Sequence, residues 1–167
     1  MTLTIAYRLS RILADEICQL FEREITTMNL LGNTEAHDAF ISARDTLHES
    51  MDGPGGFDGC VRILNAINTC ARNFEEFANA EPLVPAYWLQ HAYELRTRAE
   101  LVATDVLHAA GKVPKFEESL ALLRISCAYL SKRLGHNQAA MGYAQGALRL
   151  AAPEPTVEVA KRVMQTR

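Results

Sequence analysis

Apolar side chains recur through most of this chain at alternating steps of four and three residues, a spacing that restricts it to α-helices packed along their lengths. Cys60, Leu64, Ile67, Ala71, Phe74 and Ala78 follow it. So do Trp88, Ala92, Leu95, Ala99, Val102, Val106 and Ala109, and then Phe116, Leu120, Leu123, Cys127, Leu130 and Leu134. On a helix such positions form one stripe, whereas a half-buried strand would alternate every second residue. An earlier stripe runs Ile5, Leu9, Ile12, Leu13, Ile17, Leu20, Phe21, Ile25 and Met28, and a shorter one Ala36, Phe40, Ala43 and Leu47. Stripes close to a seven-residue period predict helices crossing at a shallow angle of roughly +20°, as in bundles.

The breaks between stripes carry stop and start signals. Leu31-Gly32-Asn33 ends the first helix, with Gly32 suited to a left-handed cap and Asn33 or Thr34 capping the second helix. Asp52-Gly53-Pro54-Gly55-Gly56-Phe57-Asp58-Gly59 is a turn, with Asp58 the expected N-cap of the third helix. Glu81-Pro82-Leu83-Val84-Pro85 and Gly111-Lys112-Val113-Pro114 bound the fourth, and Pro153-Glu154-Pro155 precedes a last short helix to about Gln165. The expected fold is all-α: an elongated up-down bundle of six to seven helices, four of them long, in one domain spanning residues 1–167. Residues 1–134 form the expected core, and 136–167 pack on it or on a partner. At 167 residues the chain buries enough apolar surface to fold without metal or disulfide.

The N-terminal residues lack a basic region followed by an apolar run, so no signal peptide is expected. No stretch approaches the ~20 uncharged apolar residues of a membrane span. Cys18, Cys60, Cys70 and Cys127 are widely spaced without a CxxC pair, and the last three fall on apolar stripes. They read as reduced core thiols of a cytoplasmic protein. The net charge of −3 is unevenly spread. Residues 1–109 hold eight Lys and Arg against sixteen Asp and Glu, a balance of −8, and residues 110–167 hold nine against four, a balance of +5. Such a dipole steers an acidic partner to the C-terminal third or lets two copies meet head to tail, unless it reflects only solvated helix faces that differ in charge.

Catalytic patterns are absent: no cysteine or serine stands in a nucleophile elbow, and no catalytic residue or cofactor is assigned. A di-iron bundle needs Glu-x-x-His on two helices with further glutamates. The nearest approximations are Asp45-x-x-His48 and the reversed His91-x-x-Glu94, making Asp45, His48, His91 and Glu94 the candidate metal ligands. The glycine turn at 53–59 lacks the preceding strand and the Lys-Ser/Thr of a phosphate loop. Nucleic-acid binding would draw on Lys112, Lys115, Arg124, Lys132, Arg133, Arg149, Lys161, Arg162 and Arg167, but there is no aromatic interleaving beyond Tyr129 and Tyr143.

Residues 136–151 are rich in alanine and glycine, including Gly142-x-x-x-Gly146, which lets a neighbouring backbone come close. From Ile125-Ser-Cys-Ala-Tyr-Leu130 through Ala140, Tyr143, Ala147-Leu148 and Pro153, the sequence resembles one tetratricopeptide unit. That resemblance covers under a fifth of the chain, and its turn lies about two residues off the family's 34-residue period. The leading expectation is a non-catalytic helical interaction module of the adaptor, chaperone, immunity or inhibitor type. It binds another protein or a second copy, as a homo-oligomer, through Lys132, Arg133, Gly142, Tyr143, Gly146 and Arg149. A metal-binding bundle and a nucleic-acid binder are the alternatives.

Overall fold

The computed structural model describes residues 2–80, 85–150 and 154–165. The expected breaks at 81–84 and 151–153 lie outside them, as does Arg167. The described residues form an elongated up-down bundle of seven helices: α1 (Leu3–Leu31), α2 (Thr34–Ser50), α3 (Gly56–Ala80), α4 (Pro85–Ala110), α5 (Pro114–Arg133), α6 (Asn137–Leu148) and α7 (Glu154–Gln165). Four of them, α1, α3, α4 and α5, have 20 residues or more.

Local chemistry sets the ends. Gly32 adopts φ 69°, the left-handed cap, and its N–H donates to the last carbonyls of α1. Of the two candidate caps for α2, Asn33 acts, its side chain accepting from the Ala36 N–H at 3.2 Å. Asp58 is not the N-cap of α3: the helix begins at Gly56, and Asp58 sits in its first turn, where a carboxylate still favours the helix dipole. The glycine turn is explained by packing. A Cβ on Gly59 would stand 2.6 Å from the Tyr7 ring and 2.8 Å from the Pro54 carbonyl, so only glycine lets the turn close over Tyr7. Arg62 holds the other side, donating to the carbonyls of Ser50 at 2.7 Å and Pro54 at 2.9 Å.

Helices α1 to α4 pack around four rings, one from each: Phe21, Phe40, Phe74 and Trp88. The Phe40–Phe74 centroids lie 5.3 Å apart, and Trp88 stacks on both at 5.5 Å. Aromatic pairs at this separation add about 0.5–1.5 kcal/mol each beyond the area they bury. Helix α5 then packs on α4, α6 on α5, and α7 on both α5 and α6. This last layer has its own small core, in which Ile125 and Ala128 meet Ala140, Ala144, Ala147, Ala160 and Val163.

The stripes of α2 and α3 are buried throughout. That of α1 is not: Ile5 and Ile12 are 46% and 53% exposed, while Ala6, Ser10, Ala14 and Cys18 are buried. Helical phase gives the reason: at about 100° per residue, Ile5 and Ile12 lie about 120–160° round α1 from the buried Ser10 and Ile17, so they face away from the bundle. Helix α4 shows the opposite effect. With α1 and α3 on one side and α5 on the other, it buries Arg96 and Glu100 as well as its apolar stripe.

Candidate functional site

Helices α4 and α6 both pack on α5, but their backbones do not meet each other. The space between them is a cleft of about 430 Å³. Its lining includes Gly142, Tyr143, Gly146 and Arg149 of α6 and the turn after it, with Glu100 on α4 and Arg124 on α5. Four of the six residues expected to make the interaction therefore come together on one surface.

The floor is a charge-assisted network. Arg124 donates through Nε to Glu100 Oε1 at 2.9 Å, through Nη2 to Thr104 Oγ1 at 3.0 Å, and through Nη1 to the Gly146 carbonyl at 3.0 Å. Thr104 also donates to Glu100 Oε1 at 3.1 Å. The side chains of Arg124 and Glu100 are only 15% and 11% exposed, so the charges compensate each other in a largely dry setting. Three helices are thereby tied at one point. No part of the sequence pattern pointed to Glu100 or Thr104. A glutamate on a polar helix position reads as solvated until a second helix is laid against it.

The two glycines of α6 differ. A Cβ on Gly146 would meet Arg124 Cδ at 3.3 Å, so the small residue there serves packing within the chain. A Cβ on Gly142 would meet nothing within 4 Å. Tyr143 closes one wall, half-buried, and its phenol is pushed up to about 12, first by burial and then by its acidic neighbours Cys127, Tyr93 and Glu100. Arg149 is exposed at the mouth, with no partner among the described residues.

The other two expected interaction residues lie elsewhere. Lys132 donates to the Val163 carbonyl at 3.2 Å, holding the end of α7. Arg133 stands 5.8 Å over the Tyr129 ring and lines a separate groove with Glu75 and Val159. The basic residues on which nucleic-acid binding would draw are similarly divided: Arg124 faces inward, Lys132 is tied to α7, and Lys161 lies 3.9 Å from Glu158.

Asp45, His48, His91 and Glu94 are not brought together, and among the described residues no three His, Cys, Asp or Glu side chains form a group able to hold a metal ion. Asp45 pairs with Arg44 at 3.2 Å, and Glu94 accepts from Gln90 at 3.3 Å. His91 lies inward among aromatic rings, 4.7 Å from Tyr87 and 5.4 Å from Phe40. Burial lowers its pKa, opposed by Glu24 and Glu94. Beside it, the Tyr87 hydroxyl donates to Glu24 at 2.6 Å. All four cysteines are buried free thiols, and burial raises Cys18 to about 11 and Cys70 to about 12. None has the lowered pKa of a nucleophile.

No helix among the described residues is long and apolar enough to cross a membrane. No protein-family model, curated protein or solved structure matches this chain.

Proposed function

We propose that this chain is a non-catalytic protein-interaction module that receives a helical segment of another protein in the cleft between α4 and α6. The observation that carries this reading is Gly142. Glycine within a helix is about 1 kcal/mol worse than alanine. Nothing within 4 Å would touch a Cβ at this position, so the chain's own packing gives no reason for that loss. A backbone crossing α6 closely at Gly142 supplies one, and Arg149 at the mouth suits a carboxylate on the incoming segment. A symmetric pairing of two C-terminal layers is disfavoured, since it would oppose two regions that each carry +5. The partner in this reading is an acidic segment of another protein, with a second copy met head to tail, −8 against +5, as the alternative.

The test compares the wild-type chain with Gly142→Leu as bait in extracts of the source cells, alongside thermal unfolding of both. The leucine projects into open space, so the variant folds with unchanged or raised stability and no longer captures the wild-type partner. Equal capture of the same partner by a stably folded Gly142→Leu chain refutes the assignment.

A further inference from the structure

A second surface lies on the other side of the bundle, between α2 and α3. These helices are antiparallel neighbours, but α2 turns its bulky residues, Phe40 and Leu47, into the four-ring core. Toward the outer edge of α3 it offers only Ala39, Ser42 and Ala43, which leaves a groove of about 340 Å³. The floor is apolar, made by Ala39, Ala43, Phe74 and Phe77. Each wall carries one exposed carboxylate, Glu35 from α2 and Glu76 from α3, and neither pairs with a cation among the described residues. Residues 35–43 of α2 span about 12 Å, the rise of two helical turns, so an i, i+3/i+4, i+7 set of anchors fits along the groove.

We propose that the α2–α3 groove is a docking site for a basic amphipathic helix of a partner protein. Its apolar face lies on Phe74, Phe77 and the two alanines, and its Lys or Arg side chains reach Glu35 and Glu76. Charge complementarity selects this occupant: the carboxylates have no ion-pair partner among the described residues, and they stand in the acidic part of the chain, whose balance over residues 1–109 is −8. An acidic helix would meet like charge on both walls. The groove is separate from the α4–α6 cleft and of opposite charge, so the inference stands whether or not that cleft binds.

The molecule contains its own reporter. Trp88, the one tryptophan, stacks beneath the floor, 5.1 Å from Phe77 and 5.5 Å from Phe74. The experiment titrates the full chain with two tryptophan-free amphipathic helical peptides of the same pattern, one of leucine and lysine and one of leucine and glutamate, and follows Trp88 emission. The lysine peptide binds and perturbs Trp88, and its affinity falls with added salt; the glutamate peptide does not bind. In Glu35→Lys/Glu76→Lys the lysine peptide weakens at least tenfold and the glutamate peptide gains. In Asp15→Lys/Glu16→Lys, an equal charge change on α1 away from the groove, and in Gly142→Leu, binding stays within twofold of wild type. The inference is overturned if neither peptide binds, if both bind alike, or if the two charge-reversal variants weaken binding equally. It is also overturned if the chain alone sediments as a dimer that Glu35→Lys/Glu76→Lys dissociates, since a second copy would then cover the groove.

Discussion

Removing Arg124 should destabilise this protein more than removing any exposed cation, because it would leave a buried carboxylate without its partner. Glu100 lies on a doubly covered helix with its side chain 11% exposed, and its nearest cation is the Arg124 guanidinium at 2.9 Å. Breaking a buried pair from one side costs about 3–5 kcal/mol; the remaining solvent contact of both groups places Arg124→Ala near the lower end, about 3 kcal/mol. With a urea m-value of about 2 kcal/mol/M, the unfolding midpoint falls by about 1.5 M. Replacing both charges, as in Arg124→Met/Glu100→Met, removes the attraction and the desolvation penalty together, and should return the midpoint to within about 0.5 M of wild type. Trp88 is 7% exposed in the core of the bundle, so its fluorescence reports the transition directly. A midpoint for Arg124→Ala within about 0.3 M of wild type, or a double variant less stable than Arg124→Ala, would show that the network does not hold the three helices in this way.

Three further outcomes are expected. Gly142→Ala should raise stability by about 0.5–1 kcal/mol in calorimetry, and Gly146→Ala should raise it less or lower it, because its methyl group meets Arg124 at 3.3 Å; equal effects would contradict the distinction drawn between them. Because the folded chain holds His91 below its unfolded pKa of about 6.5, the native state binds fewer protons there, and stability is full above that value and falls as pH drops through it. Urea midpoints at pH 7.5 and 5.0 should fall further for wild type than for His91→Phe, and parallel falls would refute this. With Cys18 raised to about 11 and Cys70 to about 12, a thiol reagent at pH 8 should modify both cysteines in the native chain at least about 100-fold more slowly than in urea, and rapid native labelling would exclude their burial.

The candidate cleft was legible in part. The small-residue face of α6 and the cation after it, Arg149, stand out in the sequence because helical spacing puts them on one side, and four of the expected interaction residues do line the cleft. Lys132 and Arg133 share the charge of that set but not its place, since one is turned to α7 and the other lies over Tyr129. The spacing of three that joins Asp45 to His48 and His91 to Glu94 is a property of single helices. Bringing the two pairs to one ion depends on how α2 and α4 are rotated, and that rotation points His91 into the aromatic core.

The helices, their order and most of their ends are written in local sequence, because each rests on interactions within a few residues. A stripe at steps of four and three, an Asn33 side chain reaching the Ala36 N–H, and a left-handed Gly32 need no distant partner. Which stretches of a stripe meet a neighbour and which meet water depends instead on how the helices pack. Ile5 and Ile12 are exposed because they face away from the bundle, and Arg96 and Glu100 are buried because α4 is covered on two sides. Likewise only the packing separates Gly146, with Arg124 against it, from Gly142, with open space above it. Periodicity records one buried direction per helix, whereas burial in a layered bundle depends on how many helices surround each one and how far they extend.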